Sequence, residues 1–256
     1  MSDPQETRGV MYVATGKKYI RSAIKSAWSV RKHNPNLNVH LFANWQEFGF
    51  DFTHSPEPFT SVESIDSPYY RSKVDYSVRT PFDRTLYMDT DTRVLADILP
   101  LFDLLDRFDM ALAHAPNRIS NLTNWRTPVP TSFPQYNCGI IVYRRSDKVW
   151  KVLHEWIDAF HNAKYFADQI TFREIIWLSD LRVATLAPEY NLRHIKYMLL
   201  WGGREARPKI LHLAIYHQNI FRFFVRSTKS VFRRLGLLKV ASTPKRTDSA
   251  KLEKRP

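Results

Sequence analysis

Two aspartates separated by a single residue, Asp89 and Asp91, follow directly on a short apolar run, Thr85-Leu86-Tyr87-Met88. Carboxylates this close repel each other unless a cation lies between them. A divalent ion held there would bridge the oxygens of a diphosphate and neutralise charge on a departing group. Asp-Thr-Asp is also a good Asx-turn sequence, so the pair alone does not decide between ligand and turn. Its position does more. At the carboxyl end of a buried strand in an open α/β sheet, side chains face the crevice where ligands bind. The single cysteine, Cys138, has no histidine beside it in sequence and reads as small buried filler, not a nucleophile.

The flanking sequence supplies such a sheet. Residues 9–15 form a β-branched apolar strand, a helix with apolar residues at helical spacing runs from Tyr19 to His33, and Asn34-Pro35-Asn36 stops it before a second strand, Val39 to Ala43. This β-α-β opening predicts a parallel pair with a right-handed crossover. Residues 45–66 read as loop and Tyr69–Val78 as helix. Phe108–His114 and Asn137–Tyr143 read as strands around a proline-rich loop, 115–135, whose Trp125 makes it a lid. Helices are expected from Ser146, as N-cap, to Asn162 and over Asp168–Leu178, with strands at 181–186 and Lys209–Leu213. The predicted fold class is α/β, with a mixed, mainly parallel sheet flanked by helices.

The chain has 256 residues and a net charge of +13. From His217 to Pro256, eleven Lys/Arg face only Asp248 and Glu253, a net +9 that leaves +4 for everything before. A near-neutral folded domain over 1–215 is therefore expected, then a basic amphipathic helix over 216–239 and a disordered charged tail over 240–256. Within 220–239, phenylalanines gather on one helical face and Arg/Lys on the other, which suits an anionic membrane surface. A terminal helix docked on the core is the plain alternative. The polar start and the lack of a long apolar run point to a cytoplasmic protein, peripheral at the cytosolic membrane face.

Six blocks in order carry a family likeness: VMYVATGKKYIRSAIKSAWSVRKHNP, SPYYRSKVDYSV, PFDRTLYMDTDTRV, YNCGIIVYRR, FADQITF and KILHL. On these the chain resembles GT-A-fold (Rossmann-like) glycosyltransferases, most of all the family 8 hexosyltransferases. The resemblance implies that Asp89, Asp91 and His212 hold a divalent metal, manganese foremost and magnesium second. It implies that Arg71 faces the donor sugar and diphosphate, that Asn137 and Gly139 line the donor sugar along with Asp89, and that Asp168 and Gln169 lie beneath the reacting carbon. Thr15 and Tyr19 fall to the nucleoside.

Each residue also has a plainer reading: a core histidine, a surface arginine, a bulge glycine, a helix-capping aspartate. Two departures stand out. Thr15-Gly16-Lys17-Lys18 lacks the acidic residue that often meets uracil, and His212 is not followed by the late lysine block that binds donor phosphates, leaving Lys17, Lys18 or the tail as substitutes. The expected activity is transfer of a hexose from a nucleoside-diphosphate sugar, UDP foremost, to a hydroxyl of a glycan or lipid-linked acceptor, with retention. The rival class is a non-enzymatic phosphate- or nucleic-acid-binding module using the basic tail. No nucleic-acid fold motif supports it, so no nucleic-acid partner is expected.

Overall fold

A computed structural model describes residues 6–115, 124–197, 201–202 and 207–217. The helix expected over 216–239 and the tail over 240–256 therefore lie, from residue 218 onward, outside the described residues. So does the 116–123 part of the lid loop.

Seven strands form the central sheet in the order β3-β2-β1-β4-β7-β6-β8. They are β1 (Arg8–Ala14), β2 (Asn38–Ala43), β3 (Ser61–Ser64), β4 (Arg84–Met88), β6 (Met110–His114), β7 (Tyr136–Arg144) and β8 (Val183–Thr185). Only β7 runs antiparallel to its neighbours; every other pairing in this sheet is parallel. The expected mixed, mainly parallel sheet is present. Two short strands, β5 (Thr92–Val94) and β9 (Ile210–His212), make a separate antiparallel pair that opposes Thr92 to His212.

Alternation along the strands builds two cores, one on each face. Val10, Tyr12, Leu41, Leu86 and Met88 pack with Ile20, Ala23, Ala27 and Val30 of helix α1 (Lys17–His33). Met11, Phe42, Tyr87, Ile141 and Tyr143 pack with α4 (Asp147–Ala163) and α5 (Asp168–Leu178). In α4 the buried set Val149, Val152, Leu153, Trp156, Ala159 and Phe160 follows the helical period, and the Ser146 hydroxyl caps it by accepting from Val149 N. Helix α2 (Lys73–Tyr76) continues as a 3₁₀ turn, Ser77–Arg79, so the helix expected over Tyr69–Val78 is shorter and tighter. A short α3 (Pro100–Asp103) follows β5.

Two expectations need correcting. Residues 45–66 are not all loop: Ser61–Ser64 pairs with β2 as an edge strand, held by backbone hydrogen bonds and not by any apolar alternation. Asp168 does not cap α5. Ala167 occupies that position, and Asp168 is the first helical residue with its carboxylate turned to other partners.

The described part of the 115–135 loop is bound to α5 by two buried charges. The Glu174 carboxylate accepts the backbone N–H groups of Trp125, Arg126 and Thr127 at 2.8–3.1 Å. The Arg173 guanidinium donates to the carbonyls of Pro130 and Phe133 and to Asn124 Oδ1. Trp125 packs against the core on this face. Charge-assisted bonds to backbone N–H groups are among the stronger kind. Glu174→Ala strands three donors and should cost about 1–3 kcal/mol, which is roughly 2–10 °C in Tm for a domain of this size. Thermal melts and proteolysis near Arg126 check this; a variant as stable and as resistant as wild type rejects the clamp.

Candidate active site

The site opens at the carboxyl ends of β1 and β4, where the connections from the sheet diverge to opposite sides. Gly16 begins α1 with φ +99, a conformation side chains rarely adopt, and its N–H donates to Asn44 Oδ1. That turn aims Thr15, Lys18 and Tyr19 into a cleft whose other walls include Tyr70, Arg71, Lys73, Asp89, Asp91 and His217.

The turn after β4 is tied from behind by hydroxyls. Thr92 Oγ1 donates to Asp89 O at 2.8 Å and lies 2.7 Å from Ser26 Oγ, which lies 2.8 Å from Tyr12 OH. Backbone bonds fix it further, from Asp89 N to Gly139 O and from Leu213 N to Asp91 O. Pairing of Thr92 with His212 then carries the histidine, 121 residues beyond Asp91 in sequence, up against the carboxylates. His212 Nε2 is 3.1 Å from Asp91 Oδ1 and 3.7 Å from Asp89 Oδ2.

One ligand atom from each of Asp89, Asp91 and His212 lies within 4.8 Å of the other two. The chemistry of this donor set fits a divalent cation. His212 is wholly buried, and its Nδ1–H donates to Asn191 Oδ1 at 2.8 Å. That bond turns the lone pair of Nε2 toward the carboxylates, and Nε2 has no hydrogen-bond partner. Burial above all, with Arg193 adding to it, lowers the imidazole pKa and keeps the ring neutral. Burial alone would raise the Asp91 carboxyl, but the basic groups around it, Arg193 among them, outweigh it and hold the group ionised. A lone pair and two carboxylates facing one another need a positive charge between them, and a second partner orienting the histidine is usual at metal centres. His217 flanks the same aspartate, with Nδ1 3.7 Å from Asp91 Oδ2 and Nε2 2.7 Å from Thr90 Oγ1.

Beside this cluster lies a second one of alternating charge. Asp168 is buried between Lys73 Nζ, 3.0 Å from its Oδ2, and Arg71, 3.8 Å from its Oδ1. Burial would raise its pKa, yet the two cations prevail and keep it ionised. Lys73 Nζ also donates to both Asp89 oxygens, at 3.1 and 3.3 Å, and to Cys138 O at 3.0 Å. Burial works against its charge, but Asp168 and Asp89 hold it protonated. Tyr87 OH donates to Asp89 Oδ1 at 2.8 Å; burial, reinforced by Asp89, raises its pKa and keeps it a donor. Arg71 lies over the rings of Tyr70 and Phe166, which stack 5.0 Å apart.

Asp89, Asp91, His212, Arg71 and Asp168 are thus brought together, with Thr15 and Tyr19 on the cleft wall. Asn137 and Gly139 lie in a bulge of β7, where its register against β6 shifts, and Asn137 Oδ1 accepts from Gly139 N. They stand behind the ligands and not on the cleft wall. Gln169 is half-buried on α5 and does not line the cleft. Burial pushes the Cys138 thiol well up, which suits its reading as filler. Sequence reasoning missed Lys73, Tyr87 and Asn191. The first two had a signal in spacing: Lys73 is two residues beyond Arg71, and Tyr87 shares a strand face with Asp89.

No protein-family sequence model matches the chain, and no curated protein matches it by sequence. Solved structures do match in fold. The galactosyltransferase LgtC, in complex with donor and acceptor sugar analogues, aligns at TM-score 0.57 and 13% identity, over 91% of this chain and 97% of its own. The glycosyltransferase GlyE of Streptococcus pneumoniae TIGR4 aligns at 0.55 and 18%, over 92% of this chain but 61% of GlyE. Mouse xyloside xylosyltransferase 1 aligns at 0.55 and 15%, over 80% and 97%. The chain has the GT-A glycosyltransferase fold.

Gly139 makes the cluster possible. A Cβ there would overlap His212 Cε1 and Asp89 Oδ2 and stand 2.8 Å from Asp89 Cγ. Any divalent-cation binding by this cluster, titrated with Mn²⁺, should therefore be lost in a folded Gly139→Ala variant and weakened about 10–100-fold in Asn191→Ala. Calorimetric titration decides; unchanged affinity in both variants removes these residues from any cation site.

Proposed function

We propose that this protein is a cation-dependent glycosyltransferase. It moves a hexose from a nucleoside-diphosphate sugar, UDP-sugar foremost, to a hydroxyl of a glycan or lipid-linked acceptor. The observation that carries this reading is the convergence of Asp89, Asp91 and the unpartnered His212 Nε2 on one point of a cleft in a GT-A fold. The mixed nitrogen and oxygen set suits manganese, with magnesium second. When bound, such a cation neutralises charge developing on the departing diphosphate.

The protein's own residues supply the remainder. Arg71 presents positive charge to the same phosphates, in a corner where burial strengthens it. Tyr19 and Thr15 border the nucleoside end of the cleft. Asp168 is an ionised carboxylate set beside the metal end, suited to stabilising a sugar that acquires cationic character as its bond to the diphosphate breaks. A buried carboxylate paired with the Arg71 guanidinium is a poor proton acceptor. That favours retention, as in family 8, over an inverting route that needs a strong base. Asn137 and Gly139 support the donor-sugar end from behind, and Gln169 is assigned to the acceptor side.

An acceptor at an anionic membrane surface on the cytosolic side belongs to the same reading, through the basic residues of 220–239. Among the described residues no helix is long and apolar enough to cross a membrane. The nucleic-acid alternative rests on that same segment, outside the described residues, and gains nothing from the acidic cluster.

A panel of nucleotide sugars in thermal melts, with Mn²⁺ or with EDTA, tests the proposal by mass action. One donor should raise Tm only with the cation, and Asp91→Asn should lose that rise together with donor hydrolysis. A donor that stabilises equally in EDTA would overturn the cation-dependent reading.

A further inference from the structure

Among the cleft's positive groups, Lys73 has an unusual set of partners. Its ammonium is bound at once by Asp89, Asp168 and Cys138 O, at 3.0–3.3 Å, and it lines the cleft beside Asp91 and Arg71. Asp89 is also one of the three groups that would hold the cation. The positive charge of Lys73 thus shares a carboxylate with a cluster suited to a second positive charge. The two compete, because charges a few ångströms apart in a partly buried corner repel strongly.

A diphosphate changes that balance. It brings oxygens of higher total charge into the cleft that Lys73 already borders. The lysine's long, flexible stem lets its ammonium follow without backbone movement. We propose that Lys73 is a diphosphate-binding residue held in reserve on Asp89 and Asp168, so that cation and donor bind cooperatively through it. On transfer to the phosphate, Lys73 frees Asp89 for the cation and leaves Asp168 to the sugar. Such coupling is reciprocal: whatever factor the donor adds to cation affinity, the cation adds to donor affinity. This assignment rests on the cation-dependent reading above.

Binding of Mn²⁺ to the full chain, followed by the electron paramagnetic resonance of the free ion, tests it through the sign of two changes. Without donor, Lys73→Met removes the competitor and should tighten Mn²⁺ by at least about fivefold, a typical coupling factor. Asp168→Asn should do the opposite, because Lys73 then leans on Asp89 alone. Lys73→Arg keeps the charge and should stay near wild type. UDP should tighten Mn²⁺ more in wild type than in Lys73→Met. Circular dichroism verifies the fold of each variant; if Lys73→Met does not fold, the direction of Asp168→Asn decides alone. The assignment fails if Lys73→Met leaves Mn²⁺ affinity unchanged or weaker, or if Asp168→Asn tightens it. A wild-type protein that takes no Mn²⁺, with or without UDP, sinks the cation reading and this assignment with it.

Discussion

Two carboxylates and an imidazole nitrogen converge on one point, and the fold holds them there. Asp89 Oδ2, Asp91 Oδ1 and His212 Nε2 would separate if their backbones allowed it. They are prevented by the hydroxyl chain under the β4 turn, by pairing of β5 with β9, and by the hydrogen bond from His212 to Asn191. A repulsion that the framework maintains is how a protein prepares a place for a cation before it arrives. Gly139 belongs to the same constraint, because any side chain there would occupy the space into which the ligands converge.

The neighbouring cluster solves a different electrostatic problem. Arg71, Lys73 and Asp168 alternate in charge, so three ionised groups lie in a corner that would not tolerate any one of them alone. Alternation also means that each group can exchange its internal partner for a ligand of the same sign. The contacts from Asp91 and Asp89 through Lys73 to Asp168 join the acidic cluster to this buried corner through neighbouring side chains, not through the backbone.

Much of this was legible in the chain. The strand before Asp89, the β-α-β opening and α4 stand out because their apolar residues follow a clear period and their ends carry clear stop or cap residues. The blocks around Arg71, Asn137 and Asp168 pointed to residues that the fold does gather. What escaped lacks a periodic signal. β3 and β5 are four and three residues long and exist through pairing with distant segments. Asn191 acts through a single side-chain bond to a residue 21 positions away. Glu174 and Arg173 look like ordinary helix charges until the loop folds back on them, because nothing in their spacing announces that backbone N–H and carbonyl groups will be their partners. Lys73 was visible as a basic residue, but its engagement with two carboxylates depends on β4 and α5 meeting behind it.

The pairing of β5 with β9 has a consequence for synthesis. Six of the seven strands in the central sheet, β1 to β4 with β6 and β7, precede residue 145, whereas the histidine that completes the Asp89-Asp91-His212 cluster lies at 212. A chain still emerging from the ribosome can assemble most of its scaffold while remaining unable to capture a metal through all three groups. Any cation gripped by all three groups would therefore have to await the strand that carries His212, after most of the sheet has been made.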